Sequence, residues 1–388
     1  MGLLFGKEVY LNRMDKCRLV CSDRGLDGLV VFGKEPDRLG DIKYLTHYHP
    51  WLGGTPTLYE QRGRGNGALI LPLEGEPVLV ASSHYYGEVA IDDVRVGVNL
   101  TKKVCDVLQE MGLEQSRLGL VGGDALYVVL YQDLLSWAPR VQWTLSDDIV
   151  RSIRAVKSPE ELAILREGCR KACAVAEIVC SAAEPGVTER ELALLVMSEL
   201  AKLGVSEPFA TCQSGVERSG EPLARPMYTD RVIEDGDMFH IEICGVYNHY
   251  LVDICRAGVA GKASKKQIEI LGTVLEMGQA IARKAAPGVR AEELQTAAGE
   301  IAVAKGYGRF HTETYGGPGS YVGHGMGFGY DDIPVLAKGD KTVLREGMVL
   351  AVEPGLYRTS VGGARIERNI VITDKGSEYL GSLGGNWW

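Results

Sequence analysis

The first 150 residues alternate between stretches with helical periodicity and short extended stretches. A helical pattern over residues 7–24 precedes an apolar run over 27–33, and that run is typical of a buried strand. Later signals predict two more helices and four more strands, over 102–111 and 125–137 for the helices and over 68–72, 77–81, 117–122 and 142–145 for the strands. Helices and strands mixed in this order predict an α/β domain.

The pattern changes near residue 150, where we expect a second domain to begin. Ser158, Pro159 and Glu161 form the signature of a helix start, with an N-cap serine, a proline at the first helical position and a glutamate at the third. The chain has 388 residues, which suits two domains at roughly 100 to 200 residues each. We therefore predict one domain over 1–150 and another over 151–388.

The second domain contains an internal repeat. The triplet Pro-Gly-Val occurs at 185–187 and again at 287–289, and each copy leads into Glu-Leu and a helical pattern. Hairpin-like segments repeat in the same way, and each half carries two acids, namely Glu242 and Asp253 in the first half and Glu353 and Glu367 in the second. Two similar halves that face one another would bring four carboxylates into one cleft.

Carboxylates buried together repel one another, so this cluster predicts a bound cation. The ions Mn²⁺, Co²⁺, Fe²⁺ and Zn²⁺ accept mixed carboxylate and imidazole ligands. Of the seven histidines, only His324 stands in a glycine-bracketed segment, at 323–327, where glycine allows the backbone to approach a metal closely. His324 is therefore the expected imidazole ligand, although a loop histidine satisfied by its neighbours is the alternative.

Composition and charge argue against several kinds of partner. Apolar residues make up 45% and charged residues 24%, as in an ordinary globular protein. The net charge of −9 opposes binding to nucleic acid and to anionic membranes. No apolar run approaches the roughly 20 residues that span a bilayer. Residues 1–10 lack the basic start and cleavage site of a signal peptide, so we expect a cytoplasmic protein.

Three motifs of the second domain stand out together: Gly-His-Gly-Met-Gly at 323–327, the segment 346–357 with its Glu-Pro-Gly-Leu-Tyr end, and Gly-Ala-Arg-Ile-Glu at 363–367. With these motifs, and with segments 44–46 and 150–158, the sequence resembles the creatinase/aminopeptidase P/prolidase family over nearly the whole chain. The resemblance implies an α/β (α+β) protein, with a creatinase-type N-terminal domain and a C-terminal pita-bread domain of internal pseudo-twofold symmetry. It also implies a homodimer.

The resemblance implies a dinuclear metal centre with five ligands. Matched by position, four of them are Asp253, His324, Glu353 and Glu367. The fifth position, an aspartate in the family, is Glu242 here, which adds a methylene group to the side chain. The sequence therefore leaves open whether the centre binds one ion, two ions or none. Glu242 could instead be a structural acid paired with Arg256 or another base.

The remaining residues of the motifs suggest catalytic roles. A bound divalent ion lowers the pKa of its water from 15.7 towards about 7, and by resemblance Glu353 would carry the proton of that water to the leaving nitrogen. Arg365 would orient a carboxylate of the site or of the substrate by paired hydrogen bonds, unless it only holds its strand in place. Cys244 and Cys255, which flank the acids, are expected to be packing thiols.

Two positions depart from the peptidases of the family. Met227 stands where these enzymes have a histidine that approaches the scissile carbonyl, and Asp331 stands where they have a second one. Asp331 and Asp332 favour a substrate with a cationic group, or else they form a solvated turn. The pair His47 and His49 is predicted to form a lid over the site of a partner subunit, with a surface or interface position as the alternative.

The sequence therefore favours a metal-dependent hydrolase of an amide or other C–N bond in a small molecule, similar to ectoine hydrolases and creatinases. The first alternative is a true Xaa-Pro dipeptidase or aminopeptidase acting on short peptides. A non-catalytic binding protein is another, but four retained ligands argue against it because buried charge is costly. A lyase also stays open, since one branch of the fold eliminates rather than hydrolyses.

Overall fold

The computed structural model describes residues 2–34, 40–49, 61–63, 65–82, 88–124, 126–311, 321–329, 332–382, 384–385 and 387–388. These residues form two compact units, Met1–Arg154 and Ala155–Trp388. Each unit has its own sheet system and its own apolar core.

The first unit is built around a six-stranded mixed sheet. Its helices are α1 Lys7–Asp23, α2 Gly40–Thr46, α3 Leu100–Glu110, α4 Val128–Trp137 and α5 Asp147–Arg154. Its strands are β1 Gly28–Lys34, β2 Asn66–Pro72, β3 Val78–Ala81, β4 Asp93–Val96, β5 Arg117–Val121 and β6 Gln142–Leu145. The strand order is β4-β3-β2-β1-β5-β6, in which β1–β2 and β2–β3 are antiparallel and the other pairs parallel.

The helices and strands predicted for this region are all present, with small shifts at their ends. Helices α2 and α5 and strand β4 were not predicted. Helix α5 has acids in its first turn and arginines in its last, which complement the helix dipole. It has only eight residues, however, which is shorter than the window of about 11–18 residues over which helical periodicity is counted.

The second unit contains five helices and nine strands among its described residues. The helices are α6 Pro159–Ser181, α7 Glu189–Lys202, α8 Gly215–Ser219, α9 Lys265–Lys284 and α10 Ala291–Ala304, and a short 3₁₀ turn covers Gly308–Phe310. The strands are β7 Ser206–Ser214, β8 Met238–Tyr247, β9 Tyr250–Val259, β10 Gly323–Gly325, β11 Val349–Val352, β12 Gly355–Thr359, β13 Gly362–Arg365, β14 Arg368–Ile372 and β15 Ser377–Tyr379. They form the sheets β7-β8-β9, β10-β11-β14-β15 and β12-β13.

The two helix pairs of this unit begin alike, as the internal repeat predicts. Ser158 caps α6 and Ser264 caps α9, and each hydroxyl accepts a hydrogen bond of 3.3 Å from the backbone N–H three residues further on. Helices α7 and α10 follow the two Pro-Gly-Val turns, where Gly186 and Gly288 have φ of +101° and +89°. Only glycine adopts such angles readily, which explains its place in both turns.

The four acids stand on two antiparallel hairpins. Strands β8 and β9 pair along their whole length and carry Glu242 and Asp253. The second hairpin is divided, because β11 pairs with β14 whereas β12 pairs with β13. The break falls at Glu353 and Glu367, next to Pro354, which has no N–H to continue the ladder. The hairpin therefore opens at the point where its two acids stand.

The second hairpin is held by an apolar core that it shares with α9 and α10. Ile270 and Leu294 on the helices and Leu350 and Ile370 on the strands are fully buried in this core. The strands next to the acids are therefore fixed by packing on rigid elements. Among the described residues, no helix combines the length and apolar character that a membrane crossing requires.

Candidate metal centre

The segment that carries His324 is held closely by its neighbours. Strand β10 pairs with β11 and sets His324 opposite Ala351. A Cβ atom added at Gly323 would lie 2.0 Å from the carbonyl oxygen of Ala351, and one at Gly325 would lie 2.1 Å from that of Ile333. The glycines on both sides of His324 are thus required by backbone packing, which brings the imidazole against the acids.

The structure brings His324 together with three of the predicted acids. The Nε2 atom of His324 lies 3.5 Å from Oδ2 of Asp253 and 3.7 Å from Oε1 of Glu353. One ligand atom each of Asp253, His324 and Glu367 lies within 4.8 Å of the others, and all three residues are buried. This arrangement of one imidazole and several carboxylates suits a divalent transition metal.

Glu367 gives the clearest sign that the cluster is built for a cation. Both of its carboxylate oxygens are buried and have no hydrogen-bond partner in the part of the chain that the structure describes. Burial, with repulsion from Asp253 and Glu353, raises the pKa of Glu367 well above its usual range. A buried carboxylate without a partner is costly, and a metal ion would supply the missing positive charge. The residues therefore fit the metal that the family resemblance implies.

The ring of His324 is oriented for ligation. Its Nδ1 atom lies 2.8 Å from the carbonyl oxygen of Gly325, which can only accept, so Nδ1 carries a hydrogen and Nε2 faces the acids. Burial by itself would lower the pKa of His324, but the hydrogen bond to Asp253 and the charge of Glu353 raise it to about 9. Without an ion, the ring therefore holds a proton against the neighbouring carboxylates.

Glu242, the residue at the altered position, is paired with Arg365. The two side chains form a buried ion pair between Nη2 and Oε2. The Nε atom of Arg365 also lies 3.7 Å from Oε2 of Glu353, so one guanidinium contacts two of the acids. We considered Arg256 as a partner of Glu242, but Arg256 donates instead to the carbonyl oxygens of Cys255 and Glu367.

The structure contains three contacts of the acids that the sequence did not predict. The hydroxyl of Tyr321 donates to Oε1 of Glu353 at 2.8 Å, and the side-chain amide of Asn369 donates to the backbone oxygen of Asp253 at 2.9 Å. The thiol of Cys244, which we expected to serve packing alone, lies 3.1 Å from Oδ1 of Asp253. The position of Tyr321 three residues before His324 was the only sequence signal for it.

Two of the predicted substrate residues, Asp332 and Met227, are described in this unit and have partners of their own. Asp332 was expected to favour a cationic substrate or to lie in a solvated turn, but its side chain is only 1% exposed and pairs with Lys157 at 3.4 Å. That position corrects the expectation, because Lys157 already pairs with the carboxylate of Asp332 and keeps it out of solvent. Met227 lines a surface pocket beside Arg190 and Asp230, and its backbone oxygen accepts from the N–H of Cys212. Asp331 lies outside the described residues.

His47 and His49 lie together in the first unit. Their ring centroids are 5.6 Å apart, and the Nδ1 atom of His47 lies 3.1 Å from the backbone oxygen of Glu88. His47 is only 6% exposed, whereas His49 is half-buried, and the role of the pair as a lid stays a prediction. Burial lowers the pKa of His47, which keeps its ring neutral.

Two protein-family models match the chain. Residues 163–374 match metallopeptidase family M24, and residues 13–156 match the creatinase/prolidase N-terminal domain. A protein of Pyrococcus furiosus named Xaa-Pro dipeptidase is 31% identical over 358 residues, which is 92% of this chain and 97% of that protein. The Xaa-Pro dipeptidase of Pyrococcus horikoshii is also 31% identical, over 85% of this chain and 91% of its own length.

Solved structures agree with these family matches. The crystal structure of the prolidase from Pyrococcus horikoshii has a TM-score of 0.77 and 28% identity, covering 97% of this chain and 99% of that one. The X-Pro aminopeptidase from Thermotoga maritima has a TM-score of 0.81 over 97% and 99% of the two chains, and at 23% identity it supports the fold alone. These matches confirm the mixed α/β fold, the pita-bread second domain and the prediction of a hydrolase of C–N bonds. The chain therefore belongs to metallopeptidase family M24 and carries a creatinase/prolidase-type N-terminal domain.

Proposed function

We propose that this protein is a metal-dependent dipeptidase that cleaves the peptide bond before proline in short Xaa-Pro substrates. The observation that carries the proposal is the buried cluster of Asp253, His324, Glu353 and Glu367. It occurs in a chain that is similar, over 92% and 85% of its length, to two proteins named Xaa-Pro dipeptidase. The alternative reading of the sequence, a true Xaa-Pro peptidase, thus has more support than the small-molecule hydrolase that the sequence favoured.

Within this proposal the four clustered residues would hold a divalent ion. When bound, such an ion would polarise the carbonyl group of the substrate and lower the pKa of a water molecule, so that the water is deprotonated near neutral pH. The described residues offer no hydrogen-bond partner to the carboxylate of Glu367, and the Nε2 atom of His324 faces the acids; both observations support this assignment. The ligand set suits Mn²⁺, Co²⁺, Fe²⁺ or Zn²⁺.

Glu353 is the proposed proton carrier. Its Oε1 atom accepts a hydrogen bond from Tyr321, and its Oε2 atom faces Arg365, so both oxygens have fixed positions. A carboxylate held in this way can accept a proton from the attacking water and give it to the leaving nitrogen of proline. Arg365 would act as a positioning residue, because it holds Glu242 and Glu353 rather than the reacting atoms.

A small-molecule C–N hydrolase is the second candidate, and Met227 is the observation that favours it. The peptidases of the family have an imidazole at this position, whereas methionine can neither donate a proton nor bear a charge. A non-catalytic binding protein is less consistent with the site, since it would keep buried charges without use. A homodimer and a cytoplasmic location stay predictions from the sequence.

The experiment that tests the proposal measures proline release from Xaa-Pro dipeptides by the purified protein supplied with Mn²⁺, Co²⁺ or Zn²⁺. Glu353→Gln should abolish release while the far-ultraviolet circular dichroism spectrum stays unchanged. Glu346→Gln is the matched control, because Glu346 is exposed and begins the same segment outside the cluster. If the wild type cleaves a small amide or a cyclic amidine but no Xaa-Pro peptide, the second candidate replaces the first.

A further inference from the structure

Two thiols share one face of the β8–β9 hairpin with two of the acids. The register sets Glu242 opposite Cys255 and Cys244 opposite Asp253. Residues opposite one another in an antiparallel pair point to the same face, and so do residues two apart on one strand. This face of the hairpin therefore carries two carboxylates and two thiols.

Cys244 is the thiol that reaches the acids. Its Sγ atom lies 3.1 Å from Oδ1 of Asp253, while the Sγ atom of Cys255 turns to the backbone oxygen of Arg256 at 3.9 Å. One ligand atom each of Glu242, Cys244 and Asp253 lies within 4.8 Å of the others. Asp253 also belongs to the cluster with His324. It is therefore shared by two groups of possible ligands, one with nitrogen and oxygen atoms and one with sulfur and oxygen atoms.

The ion pair of Glu242 affects which groups beside Asp253 can serve as anionic ligands. Arg365 already balances the charge of Glu242, so this carboxylate can add little negative charge to an ion beside Asp253. A thiol bound to a metal ion gives up its proton and becomes an anionic ligand. Cys244 is the described group that lies next to Asp253 on this side and can supply that charge.

We propose that Sγ of Cys244 is a ligand of the metal centre, on the side of Asp253 that faces Glu242. The Sγ–metal bond forms as the S–H bond breaks, and the proton leaves to solvent. A second observation supports a built site at this cluster, since both buried oxygens of Glu367 lack a hydrogen-bond partner in the described chain. The inference rests on the metal centre of the proposed function but not on its peptide substrate.

A thiolate ligand changes which metal the protein prefers. Sulfur ligands favour zinc, whereas sites of oxygen ligands alone suit manganese. The protein should therefore retain Zn²⁺ or Co²⁺ in preference to Mn²⁺ when the ions compete at equal concentration. Replacing Cys244 by serine should remove much of this preference, since a hydroxyl is a poor substitute for a thiolate as a metal ligand.

The first experiment uses the absorption spectrum of the full chain loaded with Co²⁺. A sulfur-to-cobalt charge-transfer band in the near ultraviolet is expected in the wild type and should be lost in Cys244→Ser. Cys255→Ser is the matched control, because it makes the same change on the same face of the hairpin and should keep the band. A wild type without the band, or a Cys244→Ser protein that keeps it, overturns the inference.

The second experiment needs no variant and therefore does not depend on how Cys244→Ser folds. X-ray absorption of the zinc-loaded wild type should contain a sulfur shell at about 2.3 Å, and a spectrum with nitrogen and oxygen neighbours alone overturns the inference. The same preparations are assayed with Xaa-Pro dipeptides. Proline release without a sulfur shell supports the proposed function and excludes Cys244 as a ligand. A sulfur shell without proline release supports Cys244 as a ligand and contradicts the proposed function.

Discussion

Arg365 and Glu242 form an ion pair that joins the two halves of the second unit inside its buried centre. Glu242 lies on β8 of the first half, and Arg365 ends β13 of the second half. The guanidinium also reaches Glu353 at 3.7 Å, so it positions one acid from each half. The family's first aspartate is replaced here by a longer acid whose carboxylate is fixed by this arginine rather than left free.

Loss of the Arg365 guanidinium should destabilise the protein strongly. Arg365→Gln leaves the buried carboxylate of Glu242 without its partner, and breaking a buried pair typically costs about 3–5 kcal/mol. Urea unfolding of the metal-free protein measures the change in free energy. Adding Glu242→Gln to the same chain should recover part of the loss, because it removes the uncompensated charge.

The control for this measurement is Arg190→Gln, which breaks the exposed pair between Arg190 and Asp230. Exposed pairs contribute little because water screens them, so its unfolding curve should match that of the wild type. Equal effects of Arg365→Gln and Arg190→Gln would contradict a structural role of the buried pair.

Removal of the metal should lower the melting temperature. The carboxylates around His324 repel one another without a cation, and an ion that binds only the folded state stabilises it by about 2.7 kcal/mol at a hundred times its dissociation constant. Thermal melting before and after chelation, and again after Zn²⁺ is restored, measures the shift. His324→Ala should abolish it.

Glu346→Gln provides the matched comparison for this shift as well, because it removes an exposed charge in the same unit. Its melting temperature should respond to chelation as that of the wild type does. A His324→Ala protein that still gains stability from Zn²⁺ would place the ion elsewhere.

The hydroxyl of Tyr321 should matter for turnover. Tyr321→Phe removes the 2.8 Å hydrogen bond to Oε1 of Glu353 and leaves the ring in place. Hydrogen bonds to charged groups contribute about 1.5–3 kcal/mol, which corresponds to a roughly 10- to 150-fold fall in kcat/KM. Steady-state cleavage of an Xaa-Pro dipeptide measures kcat/KM. Tyr131→Phe, at an exposed tyrosine, is the control. An unchanged kcat/KM would exclude Tyr321 from positioning Glu353.

His311 should make the folded protein sensitive to acid. Burial lowers the pKa of His311 below its usual value near 6.5, so the unfolded chain binds a proton more readily than the folded one. The stability that a neutral His311 provides is present above that value and is lost as the pH falls towards its lower pKa in the folded state.

The variant His311→Gln cannot gain this charge, so its stability should fall less between pH 8 and pH 5 than that of the wild type. Urea unfolding of the metal-free proteins at both pH values gives the comparison, because chelation removes the pH dependence of metal binding. A difference between the two proteins that is the same at both pH values would show that His311 does not titrate in this range.

The sequence by itself determined the features that depend on neighbouring residues. The start of α6 at Ser158 follows from a capping box that spans the four residues 158–161, and the Pro-Gly-Val turns before α7 and α10 require glycine locally. The motifs around His324 and Glu367 identified the family, and with it the set of acids that the structure brings together.

The tertiary structure alone decided the partners of those side chains. Glu242 pairs with Arg365 across 123 positions of the chain, and Asp332 pairs with Lys157 across 175. No periodicity or local motif encodes such contacts, because they depend on how the two halves of the unit pack. Buried charge must find a partner wherever folding places one, and only the folded chain shows which partner that is.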